Sequence, residues 1–107
     1  FLVLCVQLLG VAYTTDTDLD MTLCSCKIWV EDINGNRIAG DGSGHYHDCE
    51  HSIGKEQTLN FSNQTYYIHA KVEGSARQPK IRGPFNDNAC FHIHGTVNDW
   101  GFDETTC

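Results

Sequence analysis

Four segments of this chain alternate apolar and polar residues with a period of two, and this pattern limits the fold more than any other feature. The segments cover residues 23–31, 57–61, 65–73 and 89–97. Side chains of a strand point alternately to its two faces, so each segment presents one apolar face when extended. After residue 20, no apolar period of about 3.6 residues runs long enough for a helix. We therefore expect an all-β fold, a small disulfide-stapled antiparallel β-sandwich or barrel-like sheet.

A tight hairpin turn is predicted at Asn34-Gly35. A type I′ turn needs positive φ at both central residues, which Asn and Gly adopt readily. The run from Val30 to Gly40 resembles the strand–turn–strand of transthyretin-like and carboxypeptidase-regulatory domains, and this resemblance also implies a β-sandwich. Hydrophobic residues make up 40% of the 107 residues, so we expect a small core.

The chain divides into three predicted segments. Residues 1–12 are mostly apolar and end on the small residues Gly10 and Ala12, as the remnant of a secretory signal peptide would. An apolar run this short is below the roughly 20 residues that a bilayer core requires, so we expect no membrane span. Residues 13–22 are acidic and Thr-rich and are expected to form a flexible lead-in. Residues 23–107 are expected to form a single β-rich domain.

Five cysteines follow the predicted signal: Cys24, Cys26, Cys49, Cys90 and Cys107. A small exported domain gains from disulfides, each contributing about 2–4 kcal/mol. Because five is odd, we expect two bridges and one spare thiol, which could pair between chains. Cys24 and Cys26 share a strand face and are too close to pair with each other. Cys107 would return most economically to one of these two.

Five of the six histidines lie in two short segments, 45–51 and 90–94, each with one cysteine. If Cys49 and Cys90 bridge neighbouring antiparallel strands, residue 47 stands opposite 92 and residue 45 opposite 94. Imidazole nitrogen suits zinc and copper, so one hypothesis is a metal site formed by His45, His47, His92 and His94. Free thiolates of the two cysteines could also be ligands. The alternative is a solvent-facing histidine ladder, because Phe91 and Ile93 must take the core side.

The net charge of −7 argues against a general binder of nucleic acid or anionic membranes. Four of the seven basic residues nevertheless fall between positions 71 and 82. They form either a solvated loop or a specific anion site. Exposed aromatic and arginine side chains often anchor protein interfaces, so the candidate contact residues are Trp29, Tyr67, Arg77, Lys80 and Arg82. Burial under a second layer is the alternative for Trp29.

The segment from Arg82 to Cys107 resembles the C-terminal part of the small guanyl-specific fungal ribonucleases. The resemblance rests on Arg82, the Asn-rich turn 86–88, His94-Gly95-Thr96 and Cys107. It implies His94 as general acid and Arg82 as phosphate clamp, with His47 assisting. The family's glutamate would fall near Tyr66-Tyr67, where the chain offers no acid. A ribonuclease-like protein without catalytic activity is therefore the form of this hypothesis that we keep.

The whole profile resembles a class, the small secreted cysteine-rich proteins of fungi, including effectors and killer-toxin-like proteins. That resemblance implies an extracellular interaction protein that binds a protein or glycan partner through its surface, without a cofactor and without being an enzyme. The metal hypothesis would instead require zinc or copper. Asn60 and Asn63 each begin an N-glycosylation sequon, which in an exported eukaryotic chain marks an exposed turn.

Overall fold

The computed structural model describes residues 12–107, which form nine β-strands. These are β1 (Ala12–Met21), β2 (Ser25–Asp32), β3 (Arg37–Gly40), β4 (His47–Asp48), β5 (Glu56–Ser62), β6 (Tyr66–Val72), β7 (Lys80–Phe85), β8 (Ala89–Thr96) and β9 (Asp99–Thr105). The expected all-β fold is confirmed. Within the described range, no helix is long and apolar enough to cross a membrane.

The strands form two sheets, which we name front and back. The front sheet has the order β5-β1-β8-β9. The back sheet has the order β3-β2-β6-β7, and the short β4 also pairs with β2. β1 and β8 run parallel, and the other strand pairs are antiparallel. The architecture is therefore a β-sandwich with one parallel strand pair.

One hydrophobic core lies between the two sheets. The front sheet contributes Leu19, Met21, Phe61, Ala89, Phe91, Ile93, Trp100 and Phe102. The back sheet contributes Cys26, Ile28, Val30, Tyr66, Ile68, Ala70 and Val72. Aromatic rings meet across the interface, with centroids 4.7 Å apart for Phe61 and Tyr66 and 5.7 Å apart for Phe85 and Phe91. These contacts hold the sheets face to face.

The flexible lead-in predicted for residues 13–22 is wrong, because β1 is a central strand of the front sheet. Its inner side chains Thr15, Thr17, Leu19 and Met21 are at most 3% exposed. Threonine is β-branched and fits a strand well, and its methyl group packs in the core. The predicted signal remnant lies outside the described residues up to position 11, and Ala12 begins β1.

The structure has two disulfides, Cys26–Cys49 and Cys90–Cys107. Among the cysteines of residues 12–107, Cys24 is the one that stays a thiol. The expected return of Cys107 to Cys24 or Cys26 is therefore wrong, and so is the conditional pairing of Cys49 with Cys90. The reason is strand pairing. β4 aligns with β2 and brings Cys49 beside Cys26, whereas β9 aligns with β8 and brings Cys107 back to Cys90.

Candidate functional site

Carboxylates and imidazoles share the outer surface of the front sheet, which we name the front face. Residues that alternate with the buried ones along β1, β5, β8 and β9 point outward here. They place on one surface Asp16, Asp18, Asp20, Glu56, Asp103, His92 and His94. In the strand register, His92 lies between Asp18 of β1 and Asp103 of β9. The face therefore combines negative charge with imidazole donors.

Hydrogen bonds link these histidines to the carboxylates. His92 Nε2 donates to Asp20 Oδ2 at 2.8 Å, and His51 Nδ1 donates to Asp20 Oδ1 at 2.7 Å. His94 Nε2 donates to Asp103 Oδ2 at 2.7 Å. The hydrogen bond from His92 lowers the pKa of Asp20, and that from His94 lowers the pKa of Asp103. Both carboxylates are thus held in the ionised form that accepts these bonds.

A groove of about 450 Å³ continues the front face toward the Cys90–Cys107 disulfide. Its lining residues are Asp16, Asp18, Glu56, Cys90, Phe91, Thr105, Thr106 and Cys107. A hydrogen bond with Asp16, followed by the charge of that residue, raises the pKa of Glu56. The groove is therefore a surface where added negative charge is opposed and cationic groups are favoured.

The four histidines predicted to bind a metal do not come together. His92 and His94 lie side by side on the front face, whereas His47 lies on β4 of the back sheet and His45 in the exposed loop before it. The predicted convergence required a bridge between Cys49 and Cys90. Because Cys49 joins the back sheet instead, the two histidine segments separate.

His47 instead closes one edge of the sandwich. Its Nε2 lies 2.9 Å from Asp41 Oδ2 and 3.1 Å from Gln57 Oε1. Asp41 follows β3 and Gln57 belongs to β5, so this contact joins the back sheet to the front sheet. His47 also approaches Cys26 and Cys49, with ligand atoms all within 4.8 Å of one another. Both sulfurs belong to a disulfide, so in this state they are not thiolate ligands.

The predicted anion-binding residues are held by other parts of the chain. Arg77 Nε donates to the carbonyl of Asn98 at 2.9 Å. Arg82 Nε donates to the carbonyl of Phe102 at 3.0 Å. Lys80 Nζ lies 5.1 Å from the centroid of the Trp100 ring. These side chains therefore connect β7 and the loop before it to β9 and its preceding turn.

Of the residues implied by the ribonuclease resemblance, two lie near each other. His94 donates to Asp103, and the positive charge of Arg82 also lowers the pKa of Asp103. His47 does not join them, because it is on the opposite sheet. Arg82 itself donates to the carbonyls of Phe102 and Ile81, so it influences this carboxylate through its charge alone.

The aromatic contact candidates lie on the outer surface of the back sheet, which we name the back face. Trp29 is only 7% exposed, so it is not available as an exposed anchor. His69 stacks on it with ring centroids 5.1 Å apart, and Lys27 and Arg37 approach its ring at 5.0 and 5.8 Å. Tyr67 is half-buried on the same face.

Three loops at one end of the sandwich carry exposed apolar side chains that the sequence analysis did not single out. They are Leu23 in the β1–β2 loop, Ile53 in the β4–β5 loop and Val97 in the β8–β9 turn. One backbone hydrogen bond joins two of these loops directly, from Cys49 N to Cys24 O at 3.1 Å. Two more tie loops to strand ends, from His51 N to Met21 O and from Thr22 N to Gly95 O, each at 2.8 Å. We name this surface the loop end. Leu23 and Val97 are the end residues of the predicted strand segments 23–31 and 89–97, so the sequence pattern included them in strands that the structure ends before them.

Two further predicted features concern modification and redox chemistry. Asn60 is exposed on β5 and accepts a hydrogen bond from Thr14, whereas Asn63 is exposed in the bend after that strand. Glycosylation at both sequons therefore remains a prediction, and Asn63 is the one that lies outside a strand.

Burial and the charge of Glu50 raise the pKa of the Cys24 thiol, which lowers its thiolate fraction.

The fold and the front face define a disulfide-bonded β-sandwich with a charged, histidine-bearing sheet surface. No family model matches the chain, and no curated protein matches it. Solved structures of toxins share the fold. A disulfide-locked mutant of intermedilysin with human CD59 aligns with a TM-score of 0.54 and 13% sequence identity. The alignment covers 90% of this chain and 24% of that chain. The human-specific toxin intermedilysin aligns with a TM-score of 0.53 and 15% sequence identity, and the alignment covers 90% of this chain and 23% of the toxin chain. The chain therefore spans about a quarter of the length of these toxins.

Proposed function

We propose that this chain is a toxin-like extracellular recognition module that binds a protein partner through its loop end. One observation carries the proposal: Leu23 and Ile53 are 81% and 97% exposed on loops that backbone hydrogen bonds hold together. Exposed apolar side chains on loops that a rigid scaffold positions are typical of binding surfaces.

The backbone of Leu23 supports this assignment. Leu23 has a φ of 53°, the one positive value among the non-glycine residues described. Such a conformation costs about 1–3 kcal/mol and persists where the surroundings impose it, often at binding sites. Here Thr22 N donates to the carbonyl of Gly95 in β8, and the carbonyl of Cys24 accepts from Cys49 N in the β4–β5 loop. The leucine side chain is thereby presented to solvent in one backbone conformation.

A protein partner fits this surface best. Exposed charged residues lie on the loop end or on the adjoining β6–β7 loop, among them Glu50, Glu73 and Arg77. A polar rim around an apolar centre is the usual anatomy of a protein interface. One similar structure contains intermedilysin together with human CD59, which supports a protein as the kind of partner. Two disulfides favour an oxidising, extracellular setting, where such bridges persist.

The test compares loop-end variants with a matched variant at the other end. Leu23→Gly with Ile53→Asn removes both apolar tips, and glycine adopts the positive φ at position 23 without strain. Ile33→Asn changes another exposed isoleucine, 67% exposed in the β2–β3 turn, and is the control. Labelled protein is applied to animal, plant and fungal cells with and without protease treatment, and to lipid vesicles.

We expect saturable binding to one cell type that protease treatment abolishes, with at least about tenfold weaker binding for the double variant and none of that loss for Ile33→Asn. Binding that survives protease treatment, or binding to vesicles, would assign the loop end to a glycan or lipid instead. Equal binding by wild type and the double variant would overturn the loop end as the site.

A further inference from the structure

We propose that His92 and His94 form a binding site for one zinc or copper ion on the front face, with Asp20 and Asp103 as supporting carboxylates. The proposal does not depend on the loop end or on a protein partner. It uses only two of the four histidines that the sequence suggested, because the other two lie elsewhere.

The two imidazoles are already adjacent. They occupy alternate positions of β8, and their rings stack with centroids 4.6 Å apart and planes 23° apart. A metal bound at about 2.0–2.1 Å by two imidazole nitrogens in tetrahedral geometry holds those nitrogens about 3.3 Å apart. Because the lone pair of an imidazole nitrogen lies in the plane of its ring, both rings must turn out of the stack to meet one ion, and side chains at alternate positions of one strand project from the same face, so both can reach it.

The supporting carboxylates set the chemistry of the rings. His92 Nε2 donates to Asp20 and His94 Nε2 donates to Asp103, so each ring carries its proton on Nε2 and the Nδ1 lone pair is left as the ligand. No hydrogen bond engages either Nδ1 atom in the described structure. A histidine that gives its second N–H to a carboxylate is the usual arrangement at metal centres, where the carboxylate orients the ring and raises its basicity.

The setting favours a cation but leaves the coordination open. Five carboxylates on the same face lower the energy of a bound positive ion. Within residues 12–107, His92 and His94 belong to no group of three Cys, His, Asp or Glu ligand atoms that all lie within 4.8 Å of one another. The remaining positions would therefore be filled by water or by a donor from a bound molecule. Imidazole ligands select copper and zinc over calcium and magnesium.

Titration calorimetry of the oxidised full chain with Cu²⁺, Zn²⁺, Ca²⁺ and Mg²⁺ tests the site. We expect one Cu²⁺ or Zn²⁺ per chain, loss of this binding in His92→Gln/His94→Gln, and unchanged binding in His45→Gln, which alters an exposed histidine outside the front face. The electron paramagnetic resonance spectrum of the Cu²⁺ complex should show two nitrogen ligands. Near-ultraviolet circular dichroism checks that each variant keeps its fold.

Two carboxylate variants distinguish the hydrogen bond that orients an imidazole ligand from the general attraction of the metal ion to negative charge. Asp103→Asn keeps a hydrogen-bond acceptor for His94 but removes the negative charge of Asp103. We expect the metal affinity to fall about tenfold. Asp16→Asn removes a front-face carboxylate that touches neither histidine, and we expect less than about a twofold change. Equal effects of the two variants, equally tight Ca²⁺ binding, or full binding by the double histidine variant would overturn the proposal.

Discussion

The two outer faces of the sandwich both carry stacked rings, but they stack against different partners. On the back face, His69 lies on Trp29, and Lys27 and Arg37 cover the indole, so the tryptophan is 7% exposed. On the front face, His92 and His94 stack on each other, with side chains 32% and 40% exposed and hydrogen bonds only to surface carboxylates. The back-face stack removes apolar surface from water, whereas the front-face stack leaves polar groups at the solvent boundary.

This difference indicates that the back face contributes to the stability of the fold, whereas the front face leaves side chains available for binding. Burial of a large aromatic side chain contributes several times more free energy than an exposed ion pair. We therefore expect substitutions on the back face to lower stability, and substitutions of the exposed, non-disulfide side chains on the front face to change ligand binding with little effect on stability. The predictions below test that division, from the largest expected effect to the smallest.

The two disulfides provide the largest test, because each belongs to one sheet. Loops of 23 and 17 residues give both bridges a similar entropic contribution of about 3 kcal/mol. Cys26 and Cys49 are fully buried behind the back face, so Cys26→Ala/Cys49→Ala also leaves a cavity and should cost about 4–5 kcal/mol in unfolding free energy. Cys90→Ala/Cys107→Ala on the front face should cost about 3 kcal/mol or less. Urea unfolding of the two double variants measures the difference, and a larger loss for the front-face pair would contradict the division.

Trp29 gives the next largest effect. Trp29→Ala removes the indole from beneath its three neighbours and should lower the unfolding free energy by about 3 kcal/mol. His92→Ala breaks one exposed hydrogen bond and should cost about 1 kcal/mol or less. Thermal and urea unfolding give both values. Comparable losses of unfolding free energy in the two variants would mean that the histidine–carboxylate hydrogen bonds of the front face stabilise the fold.

The alternating pattern predicted two strands of each sheet, β2 and β6 in the back sheet and β5 and β8 in the front sheet, but it missed β1. Ile28, Val30, Ile68 and Val72 are strongly apolar at every second position, so β2 and β6 were recognisable. β1 has the same period, but Thr15 and Thr17 occupy two of its inner positions and read as polar. Threonine in a strand buries its methyl group, and the hydroxyl of Thr15 lies in the core without a hydrogen-bond partner. Counting apolar residues alone therefore misses this strand.

The candidate site was predictable only in part, for a related reason. The parity of Phe91 and Ile93 predicts that His92 and His94 point outward, and the structure has them there. Their carboxylate partners depend on pairing between β1, β8 and β9, and His92 and Asp20 are 72 residues apart. A parallel pairing over such a separation has no local signal, because no turn sets its register. The disulfide partners follow from the antiparallel pairing of β4 with β2 and of β9 with β8, and neither β4 nor β9 was among the predicted strands.

The pH dependence of stability should also differ between the faces. Burial lowers the pKa of His69, although the nearby charge of Glu31 opposes this. A histidine with a folded pKa below its unfolded value of about 6.5 stabilises the fold above that pH, and this contribution is lost as the pH falls. We expect the unfolding free energy to decrease from about pH 6.5 downward, by less than the Trp29→Ala loss. The ionised Asp20 and Asp103 lose their contribution only in a more acidic range, below about pH 4.

A variant isolates the His69 contribution. His69→Phe keeps a ring on Trp29 but cannot be protonated, so its stability should vary less between pH 5 and 6.5 than that of the wild type. His45→Gln, an exposed histidine in the loop before β4, should retain the wild-type slope. Urea unfolding across this pH range provides the comparison. An unchanged slope in His69→Phe would show that the acid sensitivity arises elsewhere.

The smallest predicted effect is the coupling between His94 and Asp103. This pair is 2.7 Å apart but its side chains are 40% and 61% exposed, so a double-mutant cycle of His94→Gln and Asp103→Asn should give about 0.2–1 kcal/mol. Solvent surrounds the pair, and about 1 M salt should screen most of this coupling because the Debye length is then about 3 Å. The matched cycle on His69 and Glu31, which are 13% and 23% exposed, should respond less to salt. A coupling above about 2 kcal/mol between His94 and Asp103 that salt leaves unchanged would contradict this prediction. Salt fails to screen an ion pair only where solvent is excluded, so such a pair would belong to the groups that stabilise the sandwich.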